Sequence, residues 1–326
     1  MHMADALISP SVGCSMLAVT GAVILYSSKK IKEEFDDSRI PLMGVLGAFV
    51  FAAQMINFTI PLTGSSGHIG GGILLAILIG PYSAFLTITS ILTIQALLFA
   101  DGGILALGCN IFNLGFLPCF VSYPFVYKNI VKEGSSKTKI FTGATIASVL
   151  GLQLGALGVV LETVFSEISI LPFDKFLILM LPIHLAIGIV EGLVTATIVT
   201  FILNAKPDIN AYSYAPSVKK NIFAIFIVAA LFTAGFFSWF ASSLPDGLEW
   251  SISNVTVKEE ISSKEEKIYS SLSNLQEKTS FFPDYNFKND KEQGNIGTSV
   301  AGLIGVSITF ITIALISLIL KKLKDG

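Results

Sequence analysis

The stretch that decides the fold is DKFLILMLPIHLAIGIVEGLVTATIVTFIL, residues 174–203. After Lys175, its only ionisable side chains are His184 and Glu191. About 20 apolar residues in a helix cross the hydrocarbon of a bilayer, so this run is long enough to cross. The remainder of the chain has the same character, because 52% of the 326 residues are hydrophobic, 13% are charged and the mean hydropathy is +0.74. About a quarter of a soluble chain is charged. The sequence therefore predicts an all-α polytopic membrane protein.

Nine apolar stretches are candidate membrane spans. They are residues 9–26, 40–58, 69–80, 82–99, 105–127, 140–164, 174–203, 221–241 and 297–320. The stretch 69–80 is too short to cross alone and ends at Gly80-Pro81, which is typical of a broken helix packed against protein.

The basic residues give these spans an orientation. When all nine stretches are counted, 14 of the 21 Lys and Arg residues fall on one side, which the positive-inside rule makes the cytoplasm. They lie in segments 27–39, 128–139, 204–220 and 321–326. We expect a multi-pass protein of the cell membrane with its N-terminus outside and its C-terminus in the cytoplasm. No basic segment precedes the first stretch, so we expect an anchor and not a cleaved signal peptide.

Two of the three histidines are expected on the outer side. His2 stands in the opening MHMAD, residues 1–5, and His68 in the loop GSSGHIGG, residues 64–71. With a free amine at Met1, the α-amine, the deprotonated His2 amide and the His2 imidazole form adjacent chelate rings, and His68 can add a fourth nitrogen. Four nitrogens in a plane suit Ni(II) or Cu(II) better than Zn(II), which prefers a tetrahedron.

Several polar side chains stand at membrane depth or beside the histidine loop. Gln54 and Asn57 are three residues apart on one helical face, and Ser66 is two residues before His68. Hydrogen bonding between helices is the ordinary use of such groups. Polar groups in a membrane are also functional candidates by default. We expect Gln54, Asn57 and Ser66 to orient His2 or His68.

His184 and Glu191 are seven residues apart and share one face of a helix. Their spacing is not that of H-E-x-x-H, so a zinc protease of that type is excluded. Helix packing or a coupling role is favoured over metal ligation. An intramembrane metalloenzyme built on this pair is the alternative from another class, and it needs a third ligand that the sequence does not offer.

Motifs for ATP hydrolysis and for disulfide bonds are also absent from the sequence. It has no G-x-x-x-x-G-K-[ST] motif, so it does not hydrolyse ATP by a P-loop, and another subunit must supply any energy for transport. The three cysteines, Cys14, Cys109 and Cys119, have no CxxC spacing and predict packing residues rather than disulfides. We predict no catalytic residues and no permanent cofactor.

The one large polar region is residues 242–296, with ten acidic residues against six lysines. Within residues 257–278, Ile261, Ile268, Leu272 and Leu275 have helical spacing, which predicts a short amphipathic helix. Its composition favours a solvated spacer over a catalytic domain.

These motifs together resemble a known family, the substrate-binding membrane subunit of nickel/cobalt energy-coupling-factor (ECF) transporters. The resemblance lies in five ordered stretches, residues 1–5, 54–58, 66–72, 95–103 and 110–113. A second part, with Pro-Asp-Gly-Leu-Glu at 245–249, resembles the small accessory subunit of the same transporters. Met3, where Ile is common, and Cys109, where Ala is usual, depart from the family pattern.

The resemblance implies a domain plan. Residues 1–205 correspond to the seven-helix metal-binding subunit and 206–220 to a cytoplasmic linker. Residues 221–326 correspond to the accessory subunit, with two spans around an extracytoplasmic loop at 242–296.

The resemblance also implies a ligand set and partners. The metal is expected on the Met1 amine, the His2 amide and imidazole, and the His68 imidazole. Ni(II) is favoured over Co(II) as the transported ion. The expected partners are a transmembrane scaffold subunit and two cytoplasmic ATPase subunits. A passive metal channel or sensor is a further alternative, and it predicts function without an ATPase.

Overall fold

The structure is a computed structural model that describes residues 1–33, 39–168, 171–205, 220–255, 266–288 and 295–325. Its helices are α1 (Pro10–Glu33), α2 (Arg39–Gln54), α3 (Gly72–Ile79), α4 (Pro81–Leu98), α5 (Leu107–Ile130), α6 (Lys137–Ser166), α7 (Phe173–Ala205), α8 (Lys220–Gly235), α9 (Gly247–Val255), α10 (Glu266–Thr279) and α11 (Asn295–Asp325). Short 3-10 turns cover Asp5–Leu7, Phe237–Phe240 and Pro283–Tyr285. The predicted linker lies outside the described residues except for Lys220.

Each of the nine predicted spans corresponds to a helix, and the predicted all-α multi-pass fold is confirmed. Within the described residues, six helices are long and apolar enough to cross a membrane: α1, α4, α5, α6, α7 and α11. The apolar parts of α2 and α8 are shorter, Pro41–Gln54 and Phe223–Gly235. In α5, the part from Phe112 to Tyr127 has the wider π-helical hydrogen bonding and includes two prolines.

The predicted break at Gly80-Pro81 is confirmed. Helix α3 has eight residues, all of them buried, and ends at Ile79, directly before Gly80. This glycine has φ +83°, which favours a residue without Cβ. Pro81 then begins α4, a position where its missing N–H costs nothing. A helix too short to cross is stable here because protein surrounds it.

Glycines let α6 and α7 pack backbone against backbone. A Cβ on Gly192 would lie 2.9 Å from Cα of Thr145, and one on Gly188 would lie 3.1 Å from Cα of Val149. Small residues permit this close approach between membrane helices. The packing buries the face of α7 that carries Glu191.

The two C-terminal membrane helices pack on the N-terminal part through α2. Phe310 of α11 lies 3.1 Å from a Cβ placed on Gly44, and a Cβ on Gly302 would lie 2.8 Å from the carbonyl oxygen of Ala234. Contacts therefore run from α2 to α11 and on to α8.

A small antiparallel hairpin carries the chain from α2 to α3. Strands β1 (Phe58–Ile60) and β2 (Ser65–Gly67) pair Thr59 with Ser66. On its other side, Ser66 forms a parallel bridge with Asp246, which precedes α9. The hairpin thus joins the loop of His68 to the accessory part of the chain.

Candidate metal centre

His68 lies directly after β2, in a loop that side chains of two helices hold in place. Glu191 of α7 accepts hydrogen bonds from the backbone N–H groups of Gly70 at 2.7 Å and Gly71 at 3.0 Å. Gln54 at the end of α2 donates to the carbonyl oxygen of Gly70 at 2.8 Å. Two N–H groups and one carbonyl oxygen of the loop backbone are therefore hydrogen-bonded, and these bonds fix the backbone from which the His68 imidazole extends.

The His68 ring turns Nε2 towards the N-terminus. Its Nδ1 lies 3.0 Å from the carbonyl oxygen of Ile69, which only accepts hydrogen bonds, so Nδ1 carries the proton. The lone pair of Nε2 then faces the Met1 ammonium nitrogen at 3.3 Å. Burial, followed by the charge of the ammonium group, lowers the pKa of His68 to about 3. The ring is therefore neutral and has a free nitrogen donor.

The first residues of the chain are held as firmly as an internal segment. Met3 donates from its backbone N–H to Asn110 Oδ1 at 2.7 Å, and its carbonyl oxygen accepts from Asn110 Nδ2 at 3.2 Å. The same carbonyl accepts from the N–H of Gly103 at 2.8 Å. Asp5 accepts a hydrogen bond from the backbone N–H of Ala106 at 3.0 Å. These bonds fix the main chain immediately after His2.

The His2 ring stacks on the His68 ring, with centroids 4.9 Å apart and planes inclined by 10°. His2 Nδ1 lies 3.0 Å from Asp101 Oδ1, and the hydroxyl of Tyr285 donates to Asp101 Oδ2 at 2.6 Å. Burial raises the pKa of Asp101, but its contact with His2 and the hydrogen bonds from His2 and Tyr285 outweigh burial and hold that pKa below its usual range. A carboxylate thus orients the first of the two imidazoles.

A second carboxylate forms an ion pair with the N-terminal amine. The Met1 ammonium group donates to Asp246 Oδ2 at 2.7 Å. The other oxygen, Oδ1, accepts from the N–H of Glu249 at 2.8 Å, and Glu249 Oε2 accepts from the N–H of Asp246 at 3.2 Å. This reciprocal pair is a capping box at the start of α9. Burial raises the pKa of Asp246, but the ammonium charge and its hydrogen bond lower it to about 2.

A cavity of about 550 Å³ lies beside these groups. Both imidazoles line it, and no Lys or Arg does so among the described residues. Five carboxyl side chains line it as well, those of Asp5, Asp101, Asp246, Glu249 and Asp284. Walls of one sign of charge concentrate counter-ions, so this cavity attracts cations.

The three residues predicted to orient the imidazoles lie around the centre, and the hydrogen bonds described for them reach other groups. Gln54 holds the loop backbone and accepts from Gln95 Nε2 at 2.9 Å. Ser66 donates from Oγ to the carbonyl oxygen of Leu244 at 2.7 Å, in the accessory part. Asn57 lines the cavity, and its buried Oδ1 has no hydrogen-bond partner. Gln54 and Ser66 therefore hydrogen-bond to backbone near the centre and not to the imidazoles.

His184 and Glu191 have separate partners. His184 Nδ1 donates to the carbonyl oxygen of Met180 at 2.8 Å, within α7, whereas Glu191 binds the loop of His68. Within the described parts of the chain, no three His, Cys, Asp or Glu residues are grouped closely enough to hold a metal ion. The metalloenzyme alternative therefore lacks a ligand set there, and a centre at the N-terminus needs backbone nitrogens.

Sequence analysis missed two contacts of the accessory part with the centre. Asp246 binds an amine 245 positions away, and Tyr285 binds Asp101 184 positions away. The Asp-x-x-Glu pattern of residues 246–249 indicates a helix start, but it carries no information about these two distant contacts. The described part of 242–296 is no solvated spacer, so that expectation is wrong.

Comparison with known proteins places the chain in a family. Residues 2–209 match the family described as cobalt uptake substrate-specific transmembrane region, and residues 220–322 match a PDGLE domain. A protein of Archaeoglobus fulgidus with the provisional name fused nickel transport protein NikMN is 33% identical over 312 residues, which cover 94% of this chain and 95% of that protein.

Two further similarities point the same way. The fused nickel transport protein NikMN of Rhodobacter capsulatus is 30% identical over 236 residues, 68% of this chain and 67% of that protein. The crystal structure of a truncated transition-metal transporter superposes with a TM-score of 0.55 at 31% identity, covering 63% of this chain and 99% of that one. The chain belongs to the family of cobalt uptake substrate-specific transmembrane proteins.

Proposed function

We propose that this chain is the substrate-specific membrane component of an uptake system for Ni(II), with Co(II) as the alternative substrate. The observation that carries the proposal is the approach of three nitrogen-bearing groups, with the Met1 amine 3.3 Å from His68 Nε2 and the rings of His2 and His68 stacked at 4.9 Å. The relatives named above are nickel transport proteins, and the family description names cobalt.

Chelate geometry supports this donor set. The Met1 amine, the His2 amide and His2 Nδ1 occupy three consecutive corners of a square, so His68 takes the corner beside the amine. Metal–nitrogen bonds of about 2 Å place neighbouring corners about 2.8 Å apart. The observed 3.3 Å between Met1 N and His68 Nε2 is half an ångström from that value. The two donors need only a small shift to close on an ion.

On metal binding, the His2 ring must move further than the Met1 amine and the His68 ring. Its Nδ1, the nitrogen that closes a six-membered chelate ring with the His2 amide, lies on Asp101 in this structure. Loading therefore replaces the Asp101 contact with the metal. A planar set of four nitrogens favours Ni(II) over Co(II) and over tetrahedral Zn(II).

Proton release accompanies loading. The ammonium group gives up one proton and the His2 amide gives up another, while the divalent ion adds two positive charges. The loaded chelate then carries the same single positive charge as the ammonium group that it replaces. Because ligands lose protons on binding, affinity falls in acid.

The transport context remains part of the proposal. We infer that the N-terminus and the cavity face the outside and that the C-terminus is cytoplasmic, because the basic segments then lie inside. We also infer the domain plan of residues 1–205, 206–220 and 221–326. Since the sequence has no P-loop, energy would come from two cytoplasmic ATPase subunits through a membrane scaffold subunit.

A pair of histidine variants tests the function. Ni(II) binding to purified protein should be lost in His68→Ala and kept in His184→Asn, in which an amide N–H can still donate to Met180. Loss of binding in His184→Asn with normal binding in His68→Ala would contradict the proposal and favour the interior of α7. Metal uptake by cells that lack the ATPase subunits would instead indicate a passive channel.

A further inference from the structure

The carboxylate of Asp246 is the one ionic partner that the structure gives to the amine of Met1 among the described residues. Its Oδ2 lies 2.7 Å from the amine, and its side chain is only partly exposed, at 16%. The accessory part thus contributes a charged group to a centre whose proposed ligands all belong to the N-terminal part.

Three contacts fix this carboxylate independently of the amine. Its Oδ1 accepts from the N–H of Glu249 at 2.8 Å, which anchors it to the first turn of α9. The N–H of Ser66 in β2 donates to the carbonyl oxygen of Pro245 at 2.8 Å, which joins the residue before Asp246 to the hairpin that precedes His68. Gly247 packs so closely that a Cβ there would lie 2.6 Å from Ile183. Asp246 is therefore placed by the fold and does not follow the amine.

We infer that Asp246 is the fixed counter-charge of the metal centre, which seats the protonated amine beside His68 before loading and balances the loaded chelate afterwards. The inference rests on the proposed function. The unloaded amine carries one positive charge, and so does a divalent ion bound by a neutral amine, a deprotonated amide and two neutral imidazoles. One carboxylate held at this position balances both states without moving.

The test uses the full chain with an unmodified Met1 and measures NiCl₂ binding by calorimetry and visible absorption. Asp246→Asn removes the charge and keeps one oxygen, which can cap α9 or accept from the amine but cannot do both. Asp246→Ser is a second variant that also caps the helix. Glu249→Gln is the matched control, because Gln keeps the capping box and a charge is lost from the same cavity.

The inference predicts at least tenfold weaker Ni(II) binding in both Asp246 variants, with the wild-type absorption band at saturation because the donors are unchanged. Glu249→Gln should bind within about twofold of wild type. Wild-type affinity in Asp246→Asn, or an equal loss in Glu249→Gln, would overturn the inference while leaving the proposed function standing. Absence of Ni(II) and Co(II) binding in the wild-type protein would overturn the proposed function itself.

Discussion

Replacing Glu191 should weaken metal binding although this residue touches none of the proposed ligands. Its two oxygens accept from Gly70 and Gly71 at 2.7 and 3.0 Å, in the loop directly after His68. Each hydrogen bond to a charged group contributes about 1.5–3 kcal/mol, and Glu191→Ala leaves both buried N–H groups without that acceptor. Groups that hold a metal ligand in place typically contribute about 10- to 100-fold in affinity. We expect about 100-fold weaker Ni(II) binding in Glu191→Ala.

A graded series separates this role from simple loss of stability. Glu191→Gln keeps one acceptor oxygen and places an NH₂ group against the other N–H, so we expect a smaller loss, about tenfold. Glu162→Gln is the control, since this buried carboxylate of α6 accepts from Asn113 at 2.7 Å and not from the loop. Calorimetry with NiCl₂ measures all three. Binding within about twofold of wild type in Glu191→Ala would refute the reasoning, as would an equal loss in Glu162→Gln.

Three further predictions concern residues around the centre. Gly247→Ala places a Cβ 2.6 Å from Ile183, so we expect about 1–3 kcal/mol of destabilisation, measured as a lower Tm; an unchanged Tm would contradict the close packing. Gly103→Ala drives a Cβ into the side-chain carboxylate and the backbone nitrogen of Asp5, so we expect at least tenfold weaker Ni(II) binding because Met1 and His2 are displaced; wild-type affinity would contradict this. The pKa of Asp246 is lowered from 3.8 to about 2, so the wild-type protein should be about 2 kcal/mol more stable than Asp246→Asn above pH 4. This difference in stability should vanish as the pH falls through 2. Thermal melts in which the difference grows in acid would contradict the ion pair.

Most of the fold could be predicted because lipid imposes a simple rule on sequence. Residues 174–203 have to form a helix in a bilayer, where backbone groups find no water. The interruption at Gly80-Pro81 was equally predictable, since the stretch 69–80 is too short to cross alone, and the structure gives Gly80 a φ of +83°. Basic segments add an orientation, which remains a prediction.

The candidate centre could be predicted only in part. His2 and His68 were singled out by the chemistry of their nitrogens and by the resemblance, and the structure brings their rings to 4.9 Å. The roles of Gln54, Asn57 and Ser66 followed only from sequence proximity and helical spacing. The structure gives Gln54 and Ser66 backbone partners instead.

The contacts that sequence could not supply join segments far apart in the chain. Glu191 reaches the loop of His68 across 120 positions because glycines draw α6 and α7 together and bury that face of α7. In the accessory part, Gln276 of α10 donates to the carbonyl oxygens of Ala96 at 2.9 Å and Gly102 at 2.7 Å. From composition alone, this part is expected to be polar and solvated. Composition does not show which backbone groups of the N-terminal part are available to bind its side chains.

The most direct test of the central claim is the dependence of metal binding on the position of the α-amine. Ni(II) and Co(II) binding should be measured by calorimetry and visible absorption for the wild-type protein and for a form with two residues added before Met1. Two are added because a single residue would leave His2 third in the chain, where an amine and two amides can still chelate. We expect tight Ni(II) binding with a square-planar absorption band in the wild type, and loss of both in the extended form. Equal binding by the two forms would contradict a centre built on Met1, His2 and His68.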